Sequence, residues 1–320
     1  MTGTPGKITL WGMEVFVATA EEASISSAAR RLGASPATVS QQLTNLEGAI
    51  GTTLLDRSAR PVTLTPAGEM FLRRVNTILS EAEQARAELA MADLSRMTRF
   101  RLGMIADFDA DVTPALLQDM SADLMNCRFF LKTGASHKLF ELLDTRALDV
   151  VVAADTGENL DGIEVHPLMQ EPFVTAVPKG SIKGDDIMRQ LRRMPFIQYT
   201  TGHHMGHTIA AHLSRHNVTF AKRFELDSYH AIMAMVAGGA GWTILTPLAW
   251  MKAGRFRSQV DVIPLPFGPL SRTITLTARR DVLGDMPAGI ATRLKPLLQE
   301  MIVGPAIAEL PWLSDEMRLL

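Results

Sequence analysis

The side chains of residues 36–45 are the first feature of this chain whose types and spacing could carry chemistry. Gln41 and Asn45 present amide groups four residues apart, and Thr38 adds a hydroxyl on the same side of a helical repeat. Amides of this kind can bond the edge of adenine in the major groove of DNA. The pattern therefore predicts a small helix that enters the major groove. The apolar residues that would face the protein are Val39, Leu43 and Leu46.

A helix, a turn and a second helix position these side chains within residues 25–44. Gly33 supplies the left-handed conformation that ends the first helix. Ser35 offers an N-cap oxygen to the second helix, and Pro36 occupies its first position, where the missing N–H of proline costs nothing. This order of elements is typical of a motif that binds DNA sequence.

Residues 54–65 predict a two-stranded wing after the second helix. Two short β-prone runs flank a turn at Ala59, Arg60 and Pro61. Arg57 and Arg60 would then lie beside the DNA backbone or the minor groove. For either arginine alone, an ordinary surface position is an equally good interpretation.

The composition limits the class of protein. The 320 residues are 47% hydrophobic and 21% charged, which is typical of a globular chain of two or three domains. The net charge is −2, and the first 66 residues carry equal numbers of acidic and basic side chains. Non-specific attraction to phosphates is therefore weak, and DNA binding would depend on placed contacts and on dimerisation.

Thr65 and Pro66 begin a long helix that is predicted to run to about residue 91. Its apolar residues are spaced four and three apart over nearly three repeats, which is a heptad pattern. One interpretation is an amphipathic helix that packs only on its own domain. We favour pairing with a second copy, because a long polar helix between two domains more often dimerises through such a seam. The seam comprises Phe71, Val75, Ile78, Ala82, Ala85 and Leu89.

Beyond residue 99, apolar strands and amphipathic helices alternate in two successive sets. This order predicts parallel sheets with helices on their faces. Two such units side by side leave a cleft at the carboxyl ends of the strands, where small ligands bind. The first set comprises 100–105, 113–121, 129–132, 138–145 and 149–153. The second comprises 173–178, 187–194, 196–199, 205–216, 221–226, 228–237 and 242–245, and 273–278 and 286–301 complete the sheet.

Residues 231–251 contain no charge and would be long enough to span a bilayer. Gly238, Gly239 and Pro247 interrupt them, so we interpret the segment as a helix, a glycine turn, a short buried strand and a new helix. The chain opens without a secretory signal pattern, and its one cysteine, Cys127, excludes an intramolecular disulfide. We expect a cytoplasmic protein without a membrane segment, in which Cys127 is a buried thiol rather than a redox switch.

The motifs of this chain resemble those of the LysR-type transcriptional regulators. The specific ones lie in the helix-turn-helix, the wing and the start of the long helix, and weaker ones follow in the expected order up to about residue 301. The residues concerned are 24–32, 35–43, 46–47, 50–51, 54, 56–57, 64–68, 148–152 and 236–247. Two departures are Leu55, where the family usually has an aromatic residue, and Gln41, where it often has a basic one.

The resemblance implies an α/β fold with an N-terminal winged helix-turn-helix, a long linker helix and a C-terminal two-lobed effector domain similar to periplasmic binding proteins. The implied protein is a homodimer or tetramer without a cofactor or catalytic activity. It would bind interrupted palindromes in double-stranded DNA and regulate promoters, with RNA polymerase as a further partner, when a small effector enters the cleft. The expected domains are 1–65, 66–93, 94–304 (lobe I about 99–167 and 269–304, lobe II about 168–268) and a tail at 305–320, which packs on the body or on a partner.

By position, the resemblance also implies which residues contact DNA and which contact the effector. The expected DNA contacts are Ser26, Ser27, Ser35, Ala37, Thr38, Ser40, Gln41, Gln42, Arg57 and Arg60. Around the cleft, hydroxyl groups and helix starts could bind a carboxylate. The expected effector contacts are Asp107, Phe108, Ser136, Tyr199, Thr200, Thr201, His203, Ser228 and Thr246.

Asp107, Asp109 and Asp111 are unusual in a cleft for anions. Their spacing resembles the start of a calcium loop, but Val112 replaces the required glycine and Gln118 the closing glutamate. A solvated helix start, where the dipole favours negative charge, is one interpretation. A sharper hypothesis is that one aspartate meets a cationic group of the effector beside aromatic rings, although a tyrosine pointing into the core is the alternative. The rings are those of Phe108, Tyr199 and Tyr229.

Five of the eight histidines lie between residues 203 and 216. His203 and His207 are four residues apart, as are His212 and His216, so either pair could share one face of a helix. A metal site needs a third ligand, and no cysteine or carboxylate lies near either pair in sequence. Glu225 and Asp227 are candidates only if the fold returns them to these histidines. We therefore expect no metal site, with His203 as a hydrogen-bond donor in the cleft and the others at the surface.

Two other classes of protein share parts of this pattern. A two-lobed solute-binding or enzymatic protein with an accessory helix-turn-helix would show a signal peptide or a catalytic constellation, and the sequence shows neither pattern. A molybdate-type regulator has a similar N-terminal domain, but the long run of strands and helices is unlike its small anion-binding modules. The sequence therefore favours a DNA-binding regulator controlled by a ligand.

Overall fold

The computed structural model describes residues 7–89, 97–157 and 162–320, and in residues 83–89 it describes the backbone alone. The chain divides into two compact units, residues 1–96 with 144–147 and residues 97–143 with 148–320. Each unit has a hydrophobic core of its own.

The first unit is a winged helix-turn-helix followed by a long helix. Its elements are α1 Leu10–Glu22, α2 Ile25–Leu32, α3 Pro36–Ile50, β1 Leu55–Asp56, β2 Thr63–Leu64 and α4 Pro66–Leu89. Ser35 Oγ accepts the Thr38 N–H at 3.1 Å, and Gly33 has a φ of 65°, as the predicted cap and turn require. β1 and β2 pair antiparallel, which confirms the predicted wing. The apolar residues of α3 are buried as predicted: Val39, Leu43 and Leu46.

The beginning of α4 packs on the core of its own unit. Val75 is fully buried, and the Phe71 ring lies 5.5 Å from the ring of Phe16 on α1. The seam prediction is therefore wrong for Val75, because the core of the unit already covers that side chain. Ile78 is exposed and Ala82 is half-buried, so the seam stays a prediction there. The side chains of the last two predicted members lie outside the described residues: Ala85 and Leu89.

Strands and helices alternate in the second unit, although the sequence pattern predicted no strand at 163–172, 260–264 or 318–319. Its first elements are β3 Arg99–Ile105, α5 Val112–Asp123, β4 Arg128–Gly134, α6 Ser136–Asp144, β5 Val150–Ala154, β6 Ile163–Pro172, β7 Val174–Pro178, α7 Ile187–Leu191 and β8 Phe196–Tyr199. The later elements are α8 His204–Arg215, β9 Lys222–Leu226, α9 Tyr229–Ala237, β10 Thr243–Leu245, α10 Pro247–Lys252, β11 Val260–Pro264, β12 Ser271–Arg279, α11 Met286–Leu298, α12 Gly304–Glu309 and β13 Arg318–Leu319.

One sheet, in the strand order β13–β6–β12–β5–β3–β4, defines lobe I. β4, β3 and β5 are parallel, as expected for βαβ units, but β12 runs antiparallel to both β5 and β6. The expectation of a parallel sheet is wrong for this half, because the chain that returns from lobe II enters the sheet from the opposite end. β6 continues to Pro172 in this sheet, beyond the expected lobe limit at residue 167.

Lobe II contains the elements between β6 and β12. Its strands form a sheet of order β10–β7–β11, in which both outer strands run antiparallel to β7, and a parallel pair, β8 and β9. The chain enters lobe II between β6 and β7 and returns to lobe I between β11 and β12. Two lobes joined by two connecting segments form the predicted two-lobed architecture.

The uncharged residues 231–251 form the end of a helix, a turn, a strand and a new helix, as predicted. α9 ends at Ala237, β10 follows, and Pro247 begins α10. In the parts of the chain that the structure describes, no helix is both long enough and apolar enough to cross a membrane.

The predicted tail packs on lobe I. β13 pairs antiparallel with β6, with Arg318 opposite Gln170 and Leu319 opposite Met169. Met317, just before this strand, is fully buried. Of the two places that the sequence left open for the tail, the body of the protein is the one observed.

Candidate functional site

Helix α3 presents polar side chains away from the core of its unit. Thr38 and Gln41 are exposed. The hydroxyl groups of Ser35 and Thr38 lie 2.8 Å apart, and Gln41 Nε2 donates to Asn45 Oδ1 at 2.9 Å. Gln41 uses one of its two amide N–H groups in this bond. This face carries the donors and acceptors that base edges require.

The predicted DNA contacts belong to α2, to α3 with its cap residue, and to the turn of the wing. The exposed ones are Ser26, Ser35, Ala37, Thr38, Gln41 and Arg60, and the half-buried ones are Ser27, Ser40, Gln42 and Arg57. Among the described residues, no hydrogen bond or ion pair holds Arg60. The side chains are accessible, and their contacts with DNA stay predictions.

Arg57 connects the wing to α3. Its guanidinium pairs with the carboxylate of Glu47 and donates to Thr44 Oγ1 at 3.2 Å. The other carboxylate oxygen of Glu47 accepts the N–H groups of Leu54 at 2.8 Å and Leu55 at 3.2 Å. The structure thus gives Arg57 a role in positioning the wing that the sequence did not predict. Its ion pair also weakens the attraction to phosphate that was expected of it.

A cavity of about 580 Å³ opens between the two lobes of the second unit. Lobe I contributes the segments that follow β3, β4 and β5, and lobe II contributes the ends of β8 and β9 and the beginnings of α8 and α9. The cavity therefore lies at the carboxyl ends of strands, as the order of elements predicts. Its volume lies in the range of sites for small molecules.

Five of the nine predicted effector residues line this cavity: Asp107, Ser136, Tyr199, His203 and Ser228. Ser136 begins α6, and its Oγ accepts the Ala154 N–H at 3.2 Å, which joins α6 to the end of β5. The lining thus combines side chains of both lobes that lie far apart in sequence.

The other four predicted effector residues do not line the cavity. Phe108 is fully buried in the hydrophobic core, because the short helical turn after β3 directs its ring inward. Thr200 Oγ1 donates to Glu225 Oε1 at 2.9 Å, and Thr201 is exposed in the same turn. Thr246 is fully buried and caps α10. For these four positions the effector prediction is corrected, since none of them lines the cavity. Packing explains this for Phe108, a hydrogen bond for Thr200 and capping for Thr246.

A buried ion cluster that the sequence did not predict forms one wall of the cavity. Arg272 Nη2 donates to Asp107 Oδ2 at 3.0 Å, and Arg272 Nε donates to Glu171 Oε2 at 2.7 Å. The other oxygen of Glu171 accepts the Leu248 N–H at 2.8 Å, and Thr246 Oγ1 lies 3.4 Å from Arg272 Nη2. Because Asp107 belongs to lobe I and Leu248 to lobe II, the cluster joins the two lobes beside the connecting strands.

In this cluster the guanidinium of Arg272 pairs with two carboxylates, those of Glu171 and Asp107. Burial raises the pKa of Glu171, and the charge of Arg272 offsets this only in part. Burial by itself lowers the pKa of Arg272, but Glu171 and Asp107 outweigh it, so the pKa rises and the guanidinium stays charged. The hypothesis that Asp107 awaits a cation of the effector is corrected, since Arg272 of the protein already occupies that place.

Aromatic rings form another part of the lining. The His203 ring lies 5.5 Å from that of His137 and 6.0 Å from that of Tyr199, and Tyr229 faces the cavity from the start of α9. Burial, followed by the charge of Asp107, raises the pKa of Tyr199 to about 12 and also raises that of Tyr229. Both phenol groups are therefore hydrogen-bond donors at neutral pH.

Asp109 and Asp111 take no part in the lining. Asp111 accepts the Val112 N–H at 2.8 Å at the start of α5 and pairs with Lys252. Asp109 is exposed. A charged helix start is thus the better interpretation of both aspartates.

The histidines of α8 do not form a metal site. Across residues 7–89, 97–157 and 162–320, no group of three His, Cys, Asp or Glu side chains could hold a metal ion. The rings of His212 and His216 have centroids 4.5 Å apart and are tilted by 53° to each other, and the His212 ring lies 6.0 Å from that of Phe267. Burial, together with His216, lowers the pKa of His212. The prediction of a surface position is wrong for His212, because α8 packs this residue against the loop that carries Phe267.

Comparison with known proteins places this architecture in a family. A model described as "LysR substrate binding domain" matches residues 95–286, and one described as "Bacterial regulatory helix-turn-helix protein, lysR family" matches residues 10–69. The chain belongs to the LysR family. It is a DNA-binding transcriptional regulator and not an enzyme, so the alternative of a solute-binding or enzymatic protein is excluded.

Relatives of this LysR-family regulator include activators named for hydrogen peroxide. The "Hydrogen peroxide-inducible genes activator" of Haemophilus influenzae is 28% identical over 271 residues, which cover 83% of this chain and 89% of the relative. A "Probable hydrogen peroxide-inducible genes activator" of Mycobacterium xenopi is 33% identical over 172 residues, which cover 54% of this chain and 90% of the relative.

Solved structures of LysR-family proteins have the same fold. A full-length OxyR variant from Pseudomonas aeruginosa has a TM-score of 0.68 at 21% identity and covers 92% of this chain and 95% of its own. CbnR, a LysR family transcriptional regulator, has a TM-score of 0.59 at 19% identity and covers 91% and 99%. At these identities the likeness concerns the fold alone.

Sequence reasoning about the LysR-family regulator missed several residues that build the cavity or its wall, among them His137, Asp155, Glu171, Asp227 and Arg272. Glu171 and Arg272 each lie just before an apolar segment that is predicted as a strand, and charged residues beside such segments are rarely buried without a partner. Two opposite charges of this kind are a signal of a buried pair. No comparable signal distinguishes His137 from a surface histidine.

Proposed function

We propose that this regulator binds an interrupted palindrome in double-stranded DNA as a homodimer or tetramer, and that a small effector in the cavity changes that binding. The observation that carries the proposal is the cavity itself, about 580 Å³ and lined by polar side chains of both lobes. A ligand there contacts both lobes, so it can favour one arrangement of the lobes over another. The proposal places the protein in the cytoplasm, with RNA polymerase as a partner at its promoters.

We assign the proposed functions to consecutive segments of the chain. Residues 1–65 bind DNA, with the exposed side of α3 in the major groove, and residues 66–93 connect the two functions. Residues 94–304 bind the effector, and residues 305–320 complete lobe I. Ile78 is 40% exposed, and Ala82 follows one turn later, so this side of α4 supports the proposed pairing with a second copy.

Peroxide sensing, which the names of the relatives suggest, is not the function that we propose. Oxidation to an intramolecular disulfide needs two cysteines, and the chain contains one, Cys127. Burial, with a smaller contribution from Asp149, raises the pKa of the Cys127 thiol, which lowers the fraction of reactive thiolate. Cys127 is also outside the lining of the cavity. We therefore propose reversible ligand binding as the signal.

A gel shift with DNA from upstream of the gene tests the DNA-binding part of the proposal. Gln41→Ala is expected to lower the affinity for this DNA about tenfold, because one well-placed amide contributes about 1–3 kcal/mol of base discrimination. Binding to a duplex of shuffled sequence should change little. Gln118→Ala is the matched control, since Gln118 is an exposed glutamine on α5 of the other unit. An unchanged affinity of Gln41→Ala for this DNA would contradict the assignment of α3 to the groove.

A further inference from the structure

The charges that line the cavity are predominantly negative. Asp107, Asp155 and Asp227 face it, against one arginine, Arg272. Asp107 and the buried Glu171 already hold that guanidinium through hydrogen bonds of 3.0 and 2.7 Å. Among the described lining residues, no other arginine or lysine is available to an anion. A carboxylate ligand would thus enter a negative field without a counter-ion of its own.

Asp155 and Asp227 belong to different lobes. Asp155 follows β5 in lobe I, where its carboxylate accepts the Gly157 N–H at 2.9 Å, and Asp227 follows β9 in lobe II. Both residues are exposed, and no described cationic side chain pairs with either of them. They are therefore carboxylates that a cation entering the cavity can reach, one from each lobe.

The aromatic part of the lining suits the same kind of ligand. The rings of Tyr199, His203 and His137 follow one another with centroid distances of 6.0 and 5.5 Å, and Tyr229 lies two residues after Asp227. The faces of aromatic rings attract cations, and rings combined with carboxylates are a common way to bind alkylated ammonium groups. Rings and aspartates thus favour a ligand of one chemical class.

We propose that the effector of this cavity is an organic cation, a small ammonium compound held by Asp155 from one lobe and Asp227 from the other. Its carbon skeleton would lie along the rings of Tyr199 and Tyr229. This inference rests on the proposed function, since it names the ligand class of the same cavity. A cation that attracts carboxylates of both lobes binds more tightly when the lobes approach each other, so it can shift the population of their arrangements.

Isothermal titration calorimetry of the full chain tests which ligand charge the cavity prefers. The three probes share a phenyl ring and differ in charge. Benzyltrimethylammonium is cationic, benzyl alcohol is neutral and benzoate is anionic. We expect the cation to bind about tenfold more tightly than either of the others, which corresponds to about 1.4 kcal/mol. Tighter binding of benzoate, or no binding of the cation at millimolar concentration, overturns the proposal.

Asparagine variants test the place of the site. Asp155→Asn and Asp227→Asn are each expected to raise the Kd of benzyltrimethylammonium about threefold to tenfold and to leave that of benzyl alcohol unchanged. Asp285→Asn is the matched control, because Asp285 is exposed at the start of α11, makes no capping bond and lies outside the cavity. Equal effects of all three variants would indicate a general field instead of a site and would overturn the proposal.

A gel shift in the presence of each probe separates this inference from the proposed function. If calorimetry detects the cation but the affinity for DNA does not change, the ligand class is retained and effector control of DNA binding is contradicted. If benzoate changes the affinity for DNA and the cation does not, effector control is retained and the ligand class is overturned.

Discussion

The two units of this regulator each hold an arginine against a glutamate, and the two pairs differ in burial and in sequence separation. Arg57 and Glu47 are ten residues apart, and their side chains are 27% and 14% exposed. Arg272 and Glu171 are 101 residues apart, and their side chains are 11% and 0% exposed. The first pair orients a wing, and the second joins two lobes.

The difference shows that the contribution of an ion pair depends on what remains when one partner is lost. Water can replace Arg57, so the pair in the wing adds little to stability. Neither water nor a second cation is available to Glu171 in its buried place, so the loss of Arg272 leaves an uncompensated charge. Substitution of Arg57 should therefore cost little stability, whereas substitution of Arg272 should cost much more.

Arg272→Met is expected to have the largest effect of the variants that test this comparison. Methionine retains much of the volume but leaves Glu171 and Asp107 without a cation, which costs about 3–5 kcal/mol of the free energy of unfolding. Urea denaturation followed by circular dichroism measures the loss. Arg57→Met is the matched control and should cost about 1 kcal/mol or less. Equal losses in the two variants would contradict the comparison.

A second substitution identifies the cause of that loss. Adding Glu171→Gln to Arg272→Met removes the buried charge that the first change leaves behind. The double variant should therefore regain part of the lost stability, with a coupling energy above about 1 kcal/mol in a double-mutant cycle. Simple additivity of the two changes would mean that lost packing, not charge, explains the effect of Arg272→Met.

Glu47→Ala is expected to have an intermediate effect. The change removes the acceptor of the Leu54 and Leu55 N–H groups as well as the partner of Arg57, and unpaired N–H groups cost about 1–3 kcal/mol. Thermal unfolding of the full chain measures the loss. Glu14→Ala, at an exposed position of α1, is the control and should stay within about 0.5 kcal/mol. If the two variants are equally stable, the carboxylate of Glu47 does not hold the wing.

Arg60→Ala is expected to have the smallest effect on stability, within about 0.5 kcal/mol, because the described residues provide no partner for Arg60. Its predicted contact is with DNA, so the variant should bind DNA more weakly and should lower the slope of log affinity against log salt by about one. Fluorescence anisotropy at several salt concentrations measures both. Arg128→Ala, at an exposed arginine of the other unit, should leave the slope unchanged. The prediction fails if Arg60→Ala leaves it unchanged as well.

The DNA-binding unit could be predicted largely from local sequence. The cap at Ser35, the left-handed turn at Gly33 and the buried face of α3 all depend on residues within one or two helical turns. The bond between Glu47 and the wing spans only eight residues, yet it was missed, because nothing in the spacing shows that a surface glutamate turns toward backbone N–H groups.

The position of the cavity could be predicted from the sequence, but the side chains that line it could be predicted only in part. The order of strands and helices locates it, because the carboxyl ends of parallel strands meet at one edge of a sheet. The direction of each side chain after a strand depends on packing by distant elements. Phe108 turns into the core and Thr246 caps α10, while Arg272 reaches Asp107 across 165 residues of sequence. Such long-range choices leave no periodic pattern in the sequence.

The pairing of β13 with β6 also bears on aggregation, because it covers an edge of the lobe I sheet. Without β13, β6 would be the outermost strand of the lobe I sheet, and its open N–H and C=O groups would be a template for strands of other chains. Arg318 and Leu319 cover part of this edge, and the Leu320 N–H extends the cover by donating to Leu168 O at 3.0 Å. Three residues thus help to protect a six-stranded sheet against edge-to-edge aggregation.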